Sequence, residues 1–170
     1  MRYRFLEELS DKVDFGEMDD RFFLIGLLNE FMNRFQTVGD RFSGEISWKQ
    51  CFTLICIQFF KEPPTLKELS YLMGSSHQNV KQLLLKLEKS GFVNLEPDEF
   101  DKRKQRIVLT EKAAAFCEEH DKPSINYVGK LFEAVEEEAL NITVQTLIRL
   151  DSQLQDMQNS EAFPSVFESE

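Results

Sequence analysis

The sequence has little of what catalytic and metal centres are built from. It holds two histidines, His77 and His120, and three cysteines, Cys51, Cys56 and Cys117. Three cysteines at these spacings match neither a disulfide framework nor a zinc motif. Cys117 and His120 share a helix face at i, i+3, but a zinc site takes three or four protein ligands, so no metal is expected. A phosphate-binding glycine loop, a Gly-x-Ser-x-Gly elbow and a His-Glu-x-x-His pair are all missing. The chain therefore reads as a non-enzyme without a cofactor. No apolar run approaches the length of a membrane span, roughly 20 residues, so no membrane partner is expected. No apolar run follows Met1-Arg2-Tyr3-Arg4, which reads as no secretory signal. Unpaired cysteines and no signal fit a reducing cytoplasm.

Positive charge is also in short supply. Lys and Arg number 20 against 30 Asp and Glu, for a net charge of −10. Taken globally, that balance argues against a nucleic-acid partner. The distribution argues otherwise. Residues 47–110 carry ten Lys and Arg against seven Asp and Glu, a net of +3, which leaves −13 for the flanks. A basic centre between acidic flanks suggests that the centre faces a polyanion and the flanks face away.

Apolar residues are plentiful, at 42% of the chain, with 16 Phe against 3 Tyr and 1 Trp. Their spacing outlines the elements. Leu24, Leu27, Leu28, Phe31 and Phe35 repeat at helical period between Asp19 and Phe42, and Ser43-Gly44 breaks the run. Ser47-Trp48-Lys49-Gln50 has the form of a capping box and opens a helix through Phe52, Ile55 and Phe59, which Pro63-Pro64 ends. Thr65-Leu66-Lys67-Glu68 is a second capping box, before a short helix through Leu69 and Leu72 that stops at Gly74. Ser76 caps the next helix, whose buried stripe is Val80, Leu83, Leu84 and Leu87 and whose stop is Gly91. Phe92–Leu95 and Arg106–Leu109 read as two strands of a hairpin about a polar turn from Pro97-Asp98. Thr110 caps a helix running past Cys117, with a bend expected near Pro123. From Tyr127 to Met157, Leu131, Val135, Leu140, Val144, Leu147, Leu154 and Met157 form a stripe on one long helix or two. Glu136-Glu137-Glu138 reads as a solvated helix face.

The central order of helix, tight turn, helix and hairpin is that of a winged helix-turn-helix, with Gly74-Ser75 as the turn. In that motif the second helix offers its N-terminal residues to base edges in the major groove. Here these are Ser75, Ser76, His77, Gln78, Asn79, Lys81 and Gln82. Asn and Gln pair bidentately with adenine, Ser with several bases, and Lys with guanine or phosphate. Lys81 and Lys86 are expected to meet phosphate, the commoner partner. The hairpin tip places Lys102, Arg103 and Lys104 after Asp101, with Arg106 on the returning strand; cations there suit a narrow minor groove. Asp101 is expected to orient Arg103 or a cation of the recognition helix.

Four pieces in order carry a resemblance: Thr65-x-x-Glu68-Leu69, Leu87-Glu88-Lys89-x-Gly91-Phe92-Val93, Asp101-x-Arg103, and Leu109-Thr110-Glu111-Lys112. Together they resemble the MarR family of bacterial regulators over about residues 47–112. The resemblance implies a mainly α fold with a small β-hairpin wing, in which N- and C-terminal helices intertwine into a homodimer. It divides the chain into N-terminal dimerisation helices (1–44), a winged helix-turn-helix DNA-binding domain (45–112), C-terminal dimerisation helices (113–158) and an acidic tail (159–170) expected to be mobile. It implies a regulator, a repressor more readily than an activator, that binds double-stranded DNA at a pseudo-palindromic operator; many such regulators answer to a small lipophilic or phenolic effector, and some to a cysteine or a metal. The chain departs from the family at Leu95, Glu96, Ala113, His77 and Gln82, several of them positions where cations are common; fewer phosphate contacts mean weaker nonspecific binding.

Phe31, Phe35, Phe52 and Phe59 fit either an effector pocket or ordinary packing. Two other readings stay open. A winged-helix module that binds protein would account for the acidic balance, and a redox-sensing regulator would use Cys51 or Cys117.

Overall fold

The computed structural model describes residues 16–159. The acidic tail and the extreme N-terminus thus lie outside the described residues. The described residues form six helices and one two-stranded antiparallel sheet. The elements are α1 (Asp20–Ser43), α2 (Trp48–Gln58), α3 (Leu66–Leu72), α4 (His77–Lys89), β1 (Val93–Pro97), β2 (Gln105–Leu109), α5 (Glu111–Phe132) and α6 (Glu137–Asn159). The chain clusters into two compact units, 1–120 and 121–170.

The first unit is built around short helices whose ends are tied by their own side chains. Both capping boxes form: Ser47 with Gln50 at the start of α2, and Thr65 with Glu68 at the start of α3. Each satisfies two amides that a helix start leaves without partners. Ser76 Oγ accepts the Asn79 amide at 3.2 Å and opens α4. Between α3 and α4 the chain turns at Gly74, whose φ of 57° lies in the left-handed region that a side chain resists. The core gathers Leu54 and Ile57 of α2, Leu69 of α3, Val80, Leu84 and Leu87 of α4, Phe92, Val93 and Ile107 of the hairpin, and Ala113 and Phe116 of α5. Phe92 and Phe116 meet edge to face at 5.4 Å. On the other side of α2, Gly39 of α1 lets the chain close on Trp48. A Cβ there would lie 3.0 Å from the indole.

The sheet pairs Val93 with Leu109 through Pro97 with Gln105. A bridge between Thr65 and Arg106, with the Ile107 amide donating to the Pro64 carbonyl at 2.9 Å, ties the returning strand to the start of α3. The Leu-Thr-Glu-Lys segment acts as a fastener. Thr110 Oγ1 donates to the Gly91 carbonyl at 2.7 Å and accepts the Ala113 amide at 3.2 Å. Lys112 Nζ donates to the Ser90 carbonyl at 3.1 Å, pairs with Glu45, and stands 4.3 Å from the centre of the Phe92 ring.

In the C-terminal half the structure shows the helix ends, and of the two readings of the stripe from Tyr127 it takes the second. The helix is not interrupted at Pro123: α5 runs through it to Phe132. A proline in a helix forfeits one amide bond and strains one turn, and the turns on either side hold it. The long stripe from Tyr127 divides into two helices, with the break at residues 133–136 and the Val135 amide donating to the Phe132 carbonyl at 2.9 Å. Glu137 and Glu138 then occupy the first turn of α6, where the positive end of the helix dipole favours carboxylates. Between 121 and 158 no described residue is buried. Ile125, Ile142, Ile148 and Leu154 are each more than half exposed.

Candidate nucleic-acid interface

The first turns of α4 carry the polar residues singled out by sequence. Val80, Leu84 and Leu87 turn into the core, and Ser76, His77, Gln78, Asn79, Lys81, Gln82 and Lys86 are exposed, with Ser75 half-buried in the turn before them. This follows from helical period: residues three and four apart share a face, so fixing the apolar stripe inward leaves its polar complement outward. The side of α4 that faces water, with its Ser76 cap, offers amide and hydroxyl groups and three ammonium groups (Lys81, Lys86 and Lys89), and no carboxylate before Glu88.

The wing is held by two aspartates with different tasks. Asp98 is almost wholly buried, with its side chain 7% exposed. One of its oxygens accepts the amides of Phe100 (3.0 Å) and Asp101 (2.8 Å), and the other takes Arg106 Nε at 2.5 Å. The Asp101 amide and the Arg106 guanidinium, with further help from Phe100, hold the Asp98 carboxyl down to about 2. Asp101 instead faces outward. It accepts the Arg103 amide at 3.2 Å and Arg103 Nε at 3.0 Å, with Lys104 Nζ at 3.6 Å. Those bonds to Arg103 lower its pKa in turn. The Arg103 side chain stays 91% exposed despite this pairing, so the aspartate aims a guanidinium that remains in water. Lys102 and Lys104 are exposed beside it.

Arg106 occupies a different environment from the other cations grouped with it by sequence. Its Nε is bonded to Asp98, its NH1 donates to the Pro63 carbonyl at 3.1 Å, and Glu68 lies 3.7 Å away. Its head clamps the wing to the start of α3. Sequence spacing gave no hint of this clasp, since Asp98 and Arg106 are eight residues apart and both look like surface charges. The hairpin register is the signal that brings them together.

The four phenylalanines named as an effector pocket fall into two places. Phe31 and Phe35 stack at 5.8 Å, Phe35 meets Trp48 edge to face at 4.8 Å, and Trp48 stacks on Phe52 at 6.3 Å. These rings form a ladder from α1 to α2, with Phe31 and Phe52 partly in water. Phe59 stands apart, in an open groove of about 260 Å³ with Phe60, Glu68, Tyr71 and Leu72. Trp48, the centre of the ladder, was passed over by sequence; its place one residue after a helix cap was the available clue.

Burial pushes the Cys51 thiol up, the neighbouring Cys117 adds to this, and a hydrogen bond with Ser43 opposes it. Burial alone raises Cys56. Among the described residues no group of three or more His, Cys, Asp and Glu is placed to hold a metal ion, and no helix is long and apolar enough to cross a membrane.

An exposed polar second helix followed by a clamped cationic hairpin defines a winged helix-turn-helix protein, and the fold is that of MarR family transcriptional regulators. A MarR/EmrR family regulator from Acinetobacter sp. ADP1 superposes with a TM-score of 0.73 at 17% identity, over 82% of this chain and all (100%) of that one. FabT of Streptococcus pneumoniae, solved in complex with DNA, gives 0.62 at 21% identity over 82% and 99%. The organohalide-sensing RdhR regulator, solved with 2,4-dichlorophenol bound, gives 0.74 at 17% identity over 83% and 85%. In sequence, the transcriptional repressor MprA of Escherichia coli (strain K12) is 33% identical over 93 residues, 52% of this chain and 53% of the repressor. The chain thus spans about half the length of the curated relatives it matches. No protein-family profile matches the sequence.

Proposed function

We propose that this chain is a cytoplasmic, non-enzymatic transcriptional regulator that represses by binding a pseudo-palindromic DNA operator as a homodimer. The observation that carries the reading is the outward polar face of α4, from Ser76 to Gln82, followed in the chain by a wing that keeps Lys102, Arg103 and Lys104 in water. His77, Gln78, Asn79 and Gln82 read base edges, while Lys81 and Lys86 meet phosphates. Arg103, aimed by Asp101, enters the minor groove. Arg106 contributes by fixing the wing. The homology to a repressor supports the sign of regulation, and the DNA complex of a relative with the same fold supports the mode.

The homodimer is supported by exposed apolar side chains on the terminal helices, among them Phe22 and Ile25 of α1 and Ile148 and Leu154 of α6. A second copy would cover these side chains. A lipophilic or phenolic effector is supported by the Phe31-Phe35-Trp48-Phe52 ladder and by the dichlorophenol complex of a relative. The raised thiol pKa of Cys51 weighs against that residue as a redox sensor, which needs an exposed thiolate. The groove at Phe59 and Tyr71 favours a protein partner as a second reading.

The test is selection of binding sites from a random duplex pool at moderate salt. Enrichment of one motif with two related half-sites is expected. Recovery of no motif sinks the proposal. Release of the enriched duplex by phenolic compounds, lost in Trp48→Ala, is expected of the effector site.

A further inference from the structure

The wing carries an aromatic ring that the cationic reading leaves unused. Phe100 is 96% exposed, more than any other large hydrophobic side chain among the described residues. Single exposed apolar residues are common and by themselves mean nothing. This one differs in how its backbone is held. The Asp98 carboxylate accepts the Phe100 amide at 3.0 Å while it is itself buried against Arg106. The Lys104 amide donates to the Asp101 carbonyl at 2.8 Å, and the Asp98 amide to the Lys104 carbonyl at 3.0 Å, which closes the turn on both sides. A charged, buried clasp thus fixes a turn that leaves a ring in water, within four residues of three exposed cations.

We propose that Phe100 is an apolar DNA contact, which packs against the deoxyribose walls of the minor groove beside Arg103 when the wing docks. This rests on the reading of the chain as a DNA-binding protein. The cations bring the wing to the groove, where the potential is most negative. The ring then leaves water against sugar carbons, which removes apolar surface from solvent. The clasp removes most of the ordering cost, because the turn is already fixed before binding. The charge beside the ring favours a polyanion over an apolar protein surface as its occupant.

Anisotropy titrations of a labelled duplex, recovered by the wild-type protein from a random pool, test the contact at several salt concentrations. Phe100→Ala is expected to bind about tenfold more weakly, as loss of one buried apolar contact predicts. Its salt dependence should match wild type, since no counterion release is involved. Phe100→Leu should keep most of the affinity, and Arg103→Ala should lower the salt slope by about one. Equal affinities for Phe100→Ala and wild type overturn the contact and leave the DNA-binding reading standing. A loss that comes with a changed salt slope also overturns it, by showing that only the cations moved. If wild type recovers no duplex at all, the DNA-binding reading itself fails and takes this contact with it.

Discussion

The winged-helix lobe and the C-terminal helices treat their apolar side chains in opposite ways. In the lobe, Leu54, Leu69, Val80, Leu87, Phe92 and Val93 are wholly hidden from water. In α6, the stripe residues Val144, Leu154 and Met157 remain 46%, 58% and 47% exposed, although the stripe is as regular. Periodicity says which residues share a face and does not say what covers it. One lobe completes its own core, and the other region presents a face that a single chain leaves uncovered.

Substitutions on the two sides should separate these situations. The largest effect is expected in the lobe. Phe92→Ala removes a ring that packs on Phe116 and lies under Lys112. It should cost about 3–5 kcal/mol of unfolding free energy in urea titration; a cost below 1 kcal/mol would mean the lobe core is not close-packed. Next, Ile148→Glu should leave the lobe folded and weaken self-association at least about tenfold, because a charge would enter an apolar interface. Light scattering after size exclusion checks it, and an unchanged mass would return α6 to the status of an exposed surface helix.

A smaller effect separates the wing from both regions. The Asp98 carboxyl titrates near 2 in the fold, against about 3.9 in an unfolded chain. A depressed acid stabilises the fold above its unfolded value, and that contribution drains away as pH falls from about 4 toward 2. Asp98→Asn should flatten this part of the stability curve in acid denaturation, and an unflattened curve would remove Asp98 as the clasp. The smallest effect is expected for Glu45→Gln. It breaks an ion pair with Lys112 whose partners are about half in water, so thermal unfolding should register under about 1 kcal/mol.

The same contrast explains what was legible in the sequence. Local devices were. Two capping boxes, the Ser76 cap, the Gly74 turn and the inward stripe of α4 depend on residues within a turn or two of each other; each forms where spacing places it, except that Leu83 of the stripe is only half-buried. The hairpin was legible from two apolar runs about a polar turn. Interactions set by the register of the hairpin or by packing between helices were not. The Asp98–Arg106 clasp needs the hairpin register, and the ladder through Trp48 needs the approach of α1 permitted by Gly39. The division between α5 and α6 had a signal in Glu137 and Glu138, which suit a helix start better than a helix middle.

The central claim is that the polar face of α4 and the tip of the wing meet one duplex, twice, through two copies of the chain. Hydroxyl-radical footprinting on the selected duplex addresses it directly. The account predicts two protected patches centred about one helical turn apart, 10–10.5 base pairs, each with a flanking minor-groove protection that Arg103→Ala removes. Uniform protection along the duplex, or a single patch unaffected by Arg103→Ala, would contradict it.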